Sequence, residues 1–173
     1  MAIAFSFVTM GVSSLWAETV VDVQQPGTLS SLLTSMEKDV RLTGSINGSD
    51  IKYLREQIAD GNISSLNLSD ASIVSGGDAY DGTNRTANDT IGTGMFSEFS
   101  SLKYVDLPKS VVYIASNSFS RSGLKKVVIP DNVKEVGMDA FAYCYSLDTV
   151  VVGRKVKNLG QGVFMDLLSR WHT

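Results

Sequence analysis

The chain has 173 residues, of which 43% are hydrophobic and 19% are charged, so it carries enough apolar side chains for a folded core. Its 15 basic and 18 acidic residues give a net charge of −3, which does not favour nucleic-acid binding. One cysteine (Cys144) and one histidine (His172) exclude an intramolecular disulfide, a Cys/His zinc site and most histidine-dependent catalytic triads.

Residues 1–17 form an apolar stretch that carries no charge before Glu18. Its length, its late small residues and Ala17 at its end predict a secretory signal peptide. The stretch is shorter than the roughly 20 residues of a bilayer span, so we expect no stable membrane span in the mature chain. No basic residue precedes the apolar run and Leu15 stands where a small residue is usual, so a start that lacks the basic region and a first core element remain alternatives.

Residues 18–62 mix strand-like and helix-like segments. Residues 40–46 have the pattern of a strand, and Ser49 or Asp50 is a suitable N-cap for a helix over 51–59. Fewer than 50 residues seldom sustain a core of their own. We therefore expect a mixed N-terminal cap over 18–62 that closes the structure following it.

Residues 63–74 have the alternation of a further strand, and residues 75–90 form a polar insertion. The insertion has several side chains with oxygen ligands for calcium, namely Asp78, Asp81, Asn84, Asn88 and Asp89. Their spacing does not match an EF-hand loop. A solvated loop and a loop that binds calcium or glycan are the two alternatives.

Repeated units follow from Ile91, with further units starting at Ile114, Val136 and Leu159. A phenylalanine recurs at steps of 23, 22 and 23 residues, and a leucine recurs at steps of 22 and 23. The columns are Phe96, Phe119, Phe141 and Phe164, and Leu102, Leu124 and Leu147. Because several independent columns share one period, we interpret the region as a repeat array.

Each column leucine precedes a short segment in which aliphatic residues alternate with more variable ones, the pattern of a strand with one buried face. The inward positions are Val105, Leu107, Val127, Ile129, Val150 and Val152. The outward positions are Tyr104, Asp106, Lys126, Val128, Thr149 and Val151. We expect the outward six to form adjacent rows on a sheet that binds a partner, with an ordinary solvated face as the alternative.

Proline or glycine ends each predicted strand, at Pro108, Pro130 and Gly153. The chain then turns and places further aliphatic residues inward, ending at Ile114, Val136 and Leu159. One unit cannot cover its own apolar face, whereas stacked units can. The sequence therefore predicts an α/β repeat solenoid over 63–173, with a period typical of leucine-rich repeats.

Two of the units, residues 96–107 and 141–152, resemble the BspA-like class of leucine-rich repeats, with Cys144 in the usual cysteine position. The resemblance implies a short stack of right-handed coils with a parallel sheet. It also implies a bacterial protein, secreted or at the cell surface, that is associated with adhesion. The partner implied is a surface protein or glycan of the host or of neighbouring bacteria, and no catalytic residue, cofactor or metal is implied.

The last unit departs from the pattern, because Arg170 stands where the column leucine is expected. Instead, several apolar residues share one face of a helix, namely Val163, Phe164, Leu167, Leu168 and Trp171. This spacing predicts a C-terminal cap over 163–173, and a truncated repeat is the alternative.

The function expected from these patterns is that of a non-catalytic, exported module that binds a protein partner through its repeated sheet. Two other hypotheses are a structural fragment without a ligand, and glycan or calcium binding through the 75–90 loop. No G-x-S-x-G motif or paired-carboxylate arrangement occurs, and Cys144 is expected to be a small buried residue.

Overall fold

A computed structural model describes residues 18–34 and 37–167 of the chain. The predicted signal peptide at 1–17, and Leu168, Arg170 and Trp171 of the predicted C-terminal cap, lie outside the described residues. The described residues form β1 (Thr19–Val23), α1 (Leu29–Leu32), β2 (Asp39–Ile46), α2 (Gly48–Ala59), β3 (Ser65–Ile73), β4 (Thr90–Ile91), β5 (Tyr104–Asp106), β6 (Tyr113–Ile114), β7 (Lys126–Val128), β8 (Glu135–Val136), β9 (Thr149–Val151) and β10 (Asn158–Leu159).

The strands form two sheets in which every neighbouring pair is parallel. One sheet has the order β1-β2-β3-β5-β7-β9, and the other has the order β10-β8-β6-β4. Each repeat unit contributes one strand to each sheet, so successive units lie side by side as coils of a solenoid. The predicted α/β repeat solenoid is therefore confirmed. The second sheet, made of two-residue strands, was not predicted.

The phenylalanine column runs through the interior from coil to coil. Phe96, Phe119 and Phe141 are fully buried, and Phe164 packs against the same cluster while remaining partly exposed. Successive rings are stacked with centroids 5.4, 5.2 and 5.7 Å apart. The predicted coil-on-coil alignment of this column is confirmed.

Two predicted inward positions are wrong. Val152 is 44% exposed and Leu159 is 53% exposed, whereas the equivalent residues of the preceding coil, Ile129 and Val136, are 1% and 0% exposed. An inward side chain in a solenoid is covered from both sides by neighbouring coils. Among the described residues, no further coil lies beyond β9 and β10, so this last coil is covered on one side alone.

The helix predicted to start near Ser49 or Asp50 begins earlier, since Asn47 is the N-cap of α2. The Asn47 side chain accepts a hydrogen bond from the Ser49 amide, and the Asp50 carboxylate accepts one from the Asn47 amide. This reciprocal capping box explains why the helix starts at Gly48. Neither of the two helices among the described residues has the length and apolarity needed to cross a bilayer.

The described part of the last predicted segment, residues 163–167, forms turns instead of the predicted helix. Val163 and Leu167 are buried there, as the predicted cap requires. The cap itself stays a prediction, because residues 168–173 are outside the described part of the chain.

Candidate functional site

The six predicted outward residues all lie on the exposed face of the six-stranded sheet. Tyr104 pairs in register with Lys126, and Lys126 pairs with Thr149. A second row, two residues further along the strands, contains Val128 paired with Val151. Asp106 of β5 is exposed on the same face and belongs to this second row. Neighbouring parallel strands are about 4.8 Å apart, so each row presents side chains at a fixed short spacing. Whether these residues bind a partner stays a prediction.

The same face continues over three strands for which no outward residues were predicted. Asp106 is in register with Asn67 of β3, Asn67 with Arg41 of β2, and Arg41 with Val20 of β1. The strand patterns at 40–46 and 63–74 were sufficient to predict outward residues of β2 and β3, because alternate positions of a strand point outward. The face is thus six strands wide and includes Val20, Arg41 and Asn67.

A charged cluster lies on this face near β2 and β3. The Asp70 carboxylate accepts hydrogen bonds from Arg41 and from the Lys109 ammonium, the latter over 2.8 Å. The hydrogen bonds from Lys109 and Arg41 hold the pKa of Asp70 below its ordinary value. Asp70 is therefore ionised at neutral pH and neutralises much of the positive charge beside it.

The part of the face formed by β5, β7 and β9 carries aromatic, aliphatic and charged side chains. Tyr104, Val128 and Val151 are 50%, 42% and 48% exposed, which is high for large apolar side chains. The Lys125 ammonium lies 5.7 Å from the centre of the Tyr104 ring. Aromatic side chains are enriched at protein–protein interfaces, so the exposed Tyr104 ring is the feature of this face that a partner could contact.

The 75–90 insertion folds back on itself and on α2. Asp81 accepts hydrogen bonds from the amides of Thr83 and Asn84 and from the Asn84 side chain. Asn88 accepts one from the Ser75 amide. Among the described residues, no group of three or more His, Cys, Asp or Glu side chains is placed to hold a metal ion. The oxygen atoms of Asp81 and Asn88 thus already serve the conformation of the loop.

Cys144 lies in the core of the repeat stack, as expected. Its thiol donates to the Phe119 carbonyl over 3.0 Å and lies 3.3 Å from the Ser122 hydroxyl. Burial raises the pKa of the Cys144 thiol. A buried thiol held in its neutral form is a poor nucleophile, so the geometry matches a packing role.

Residues 83–169 match the BspA type leucine-rich repeat region, a family described by six copies of its repeat. This match covers half of the chain and spans β4 to β10, the part that contains the phenylalanine column. The chain belongs to the BspA-type leucine-rich repeat family. In this BspA-type protein, Pro108 and Pro130 each follow the last residue of β5 and β7 after one intervening residue, as expected for strand-ending prolines.

Two solved structures are similar to this BspA-type chain. A leucine-rich cell surface protein from Faecalibacterium prausnitzii is 21% identical with a TM-score of 0.41, and the match covers 80% of this chain and 39% of that one. A leucine-rich repeat protein from Bacteroides ovatus is 16% identical with a TM-score of 0.34, covering 83% of this chain and 45% of that one. The chain therefore spans less than half of either protein. A comparison with curated proteins gave no match.

Proposed function

We propose that this chain is a non-catalytic binding module that engages a protein partner through the exposed face of its six-stranded sheet. The observation that carries the proposal is the set of in-register side chains on that face, from Val20 of β1 to Val151 of β9. They stand on a core of fully buried residues. A rigid surface loses little conformational entropy when it binds, so its contacts contribute more fully to affinity.

Membership of the BspA-type family supports a binding role over catalysis. The fully buried position of Cys144 supports the same view, because a substrate has no access to its thiol.

Export to the bacterial surface or the medium is the second part of the proposal. It rests on the uncharged apolar segment 1–17 and on the surface location that the family resemblance implies. Within this proposal, residues 18–62 cap the N-terminal end of the solenoid and residues 163–173 cap the other end. The partner is a surface protein of the host or of neighbouring bacteria, and the module contributes to adhesion.

The test is binding of the purified chain to surface-protein extracts of host cells and of bacteria, compared with a Tyr104→Ala/Lys126→Ala double variant. We expect the double variant to bind at least about tenfold more weakly, because exposed tyrosines at the centre of an interface often dominate its energy. Tyr145→Ala/Lys157→Ala is the matched control, since it removes the same two side-chain types at exposed positions outside the six-stranded sheet.

Equal weakening in the double variant and the control would contradict the proposed face. Binding that persists in the double variant and is lost after addition of a chelator would assign the function to the insertion instead. No binding to any extract would favour a structural fragment without a ligand.

A further inference from the structure

A groove of about 350 Å³ lies at the carboxyl ends of β5 and β7, at one border of the binding face. Its apolar walls include Val128, which is exposed, together with Leu107 and Pro130. Asp106, Lys109 and Asp131 stand around these apolar groups. The groove thus combines an apolar surface with charged side chains at its edge, as ligand-binding pockets commonly do.

The charges at this edge are not equivalent. The Lys109 ammonium is bound 2.8 Å from the Asp70 carboxylate. The Asp131 carboxylate accepts a hydrogen bond of 2.9 Å from the Arg154 amide and lies 3.7 Å from the Arg154 guanidinium. Within the described part of the chain, no donor or cation pairs with the carboxylate of Asp106. The groove therefore presents one uncompensated negative charge next to an apolar wall.

The segment that supplies β1 to β5 carries charge of the same sign as Asp106, whereas the segment after it carries charge of the opposite sign. Residues 18–109, which supply β1 to β5, include 13 acidic and 7 basic residues. Residues 110–160 include 4 acidic and 7 basic residues. Asp106 thus belongs to the acidic segment, while Val128, Pro130 and Asp131 on the other wall of the groove belong to the segment with more basic residues.

We infer that this groove binds a basic side chain, arginine or lysine, carried by an extended segment of the protein partner. The inference rests on the proposed function and specifies what the partner must present. The aliphatic stem of such a side chain packs against Val128 and Pro130 while its charged end reaches Asp106, because long basic side chains bury their stems and keep their charge near solvent or a counter-ion. An acidic side chain in the same place would be repelled by the charge of Asp106.

The probe for this inference is a fluorescein-labelled peptide, Gly-Val-Arg-Gly-Val-Arg-Gly, titrated with the full chain and followed by fluorescence anisotropy. We expect Asp106→Asn to weaken binding about three- to fivefold, the effect of removing an exposed charge pair. Raising the salt concentration should weaken binding to the wild-type chain more than to the variant. Asp148→Asn, which removes the same charge just before β9 and outside the groove, should change binding less than about twofold.

A second peptide, in which citrulline replaces each arginine, separates charge recognition from apolar contact. Equal binding of both peptides would overturn the inference, and so would equal effects of Asp106→Asn and Asp148→Asn. Val128→Lys places a positive charge of the chain itself at the groove. This variant should bind the arginine peptide more weakly, as Asp106→Asn does.

The outcomes for the inference and for the proposed function can be told apart. If Tyr104→Ala/Lys126→Ala abolishes capture of surface proteins and Asp106→Asn leaves both capture and peptide binding unchanged, the inference fails and the binding face stands. If the arginine peptide binds through Asp106 and the double variant captures surface proteins normally, the proposed face fails and the groove remains as a site for basic side chains.

Discussion

The stacked phenylalanines hold each coil of the repeat against the next. Phe119 has a ring on either side of it, with centroids 5.4 and 5.2 Å away, whereas Phe164 has Phe141 at 5.7 Å on one side. Phe119 is fully buried and Phe164 is partly exposed. Each aromatic pair adds about 0.5–1.5 kcal/mol of stability beyond that of the area it buries. Phe119, at the centre of the column, therefore contributes more to the free energy of unfolding than Phe164 at its end.

At the scale of single residues, we predict that Phe119→Ala lowers the free energy of unfolding by about 3–5 kcal/mol, the usual cost of truncating a buried phenylalanine. Phe164→Ala should cost less than half as much, because its ring is partly exposed and has one described stacking partner. Chemical denaturation followed by circular dichroism measures both values. Equal losses at the two positions would mean that ring stacking does not hold the coils together.

Two backbone positions in each unit have positive φ angles. The first is occupied by Gly94, Asn117, Asp139 and Gly162, with φ between 55 and 68°. Glycine, asparagine and aspartate are the residues that tolerate this region best. The second is occupied by Glu98, Arg121, Tyr143 and Asp166, with φ between 59 and 67°.

Residues at the second position carry ordinary side chains, so each conformation costs about 1–2 kcal/mol. Contacts between coils offset part of that cost. The amide of Glu98 donates to the Ser120 carbonyl, and the amide of Arg121 donates to the Ala142 carbonyl. The Arg121 guanidinium also lies 3.7 Å from the Glu98 carboxylate and 5.4 Å from the centre of the Tyr143 ring. The same turn with a positive φ angle thus recurs in each unit, and hydrogen bonds to the neighbouring coil stabilise it.

At the scale of elements, α2 joins the N-terminal region to the repeats through Arg55 and the 75–90 insertion. Arg55 donates to the carbonyls of Gly94 and Met95 over 3.0 and 2.6 Å. Its guanidinium lies 5.0 Å from the centre of the Phe99 ring. Gly48 at the start of α2 approaches the insertion so closely that a Cβ atom there would lie 2.0 Å from the Asp78 carbonyl oxygen. The insertion is therefore a packed part of the fold.

Tyr80 anchors the insertion, since its ring is buried and its hydroxyl donates to the Thr93 carbonyl over 2.8 Å. Burial raises the pKa of Tyr80 to about 12 from an ordinary value of 10.0. A raised pKa means that the folded state favours the neutral phenol. Its contribution to stability is complete below pH 10 and is lost as the pH rises through about 12.

We predict that the wild-type chain is more stable than Tyr80→Phe by about 1 kcal/mol at pH 8, the worth of one buried hydrogen bond. The difference should shrink and then vanish between pH 10 and pH 12, because only the wild-type residue ionises. Urea denaturation at pH 8, 10 and 11.5 measures it. Tyr145→Phe, at an exposed tyrosine, is the control for removing one hydroxyl. A difference that stays constant over this pH range would contradict the anchoring role.

At the scale of the whole molecule, stability in a solenoid is close to a sum over coils and the interfaces between them. The coils that contain β5 and β7 have neighbours on both sides in the six-stranded sheet, whereas β9 has one. Val150 of β9 is only partly buried, while Val105 and Val127 at the equivalent positions are 5% and 1% exposed. The described coils thus differ in local stability, although their sequences share one pattern.

We predict that backbone amides of β9 and β10 exchange with deuterium about tenfold faster than those of β5 to β8 at neutral pH. The reason is that, within the described residues, this coil has a neighbouring coil on one side only and so breaks fewer contacts when it opens. Hydrogen exchange measured by mass spectrometry on the intact chain tests this. Uniform protection from β5 to β10 would show that the segment beyond residue 167 stabilises this coil as strongly as a neighbouring repeat does.

The period of the sequence determined much of this fold by itself. The recurrence of Phe96, Phe119, Phe141 and Phe164 established the repeat, and the alternation around Val105 and Val127 established which side chains face the core. The alternation is a local signal, since a side chain in a strand points inward or outward according to the parity of its position. For the same reason, the outward direction of the six candidate residues could be predicted while their binding partner could not.

Tertiary structure alone decided the remaining features. The second sheet depends on hydrogen bonds between residues about 22 positions apart, as in the pairing of Tyr113 with Glu135. Asp50 is buried because it accepts hydrogen bonds from the distant amides of Gly27 and Leu29 as well as from Asn47, and this fixes where α2 begins. The exposure of Leu159 and the unpaired carboxylate of Asp106 likewise depend on which neighbouring coil is present and where its charges are bound. A sequence period specifies what each coil contributes, but contacts between coils arise only when the chain has stacked them.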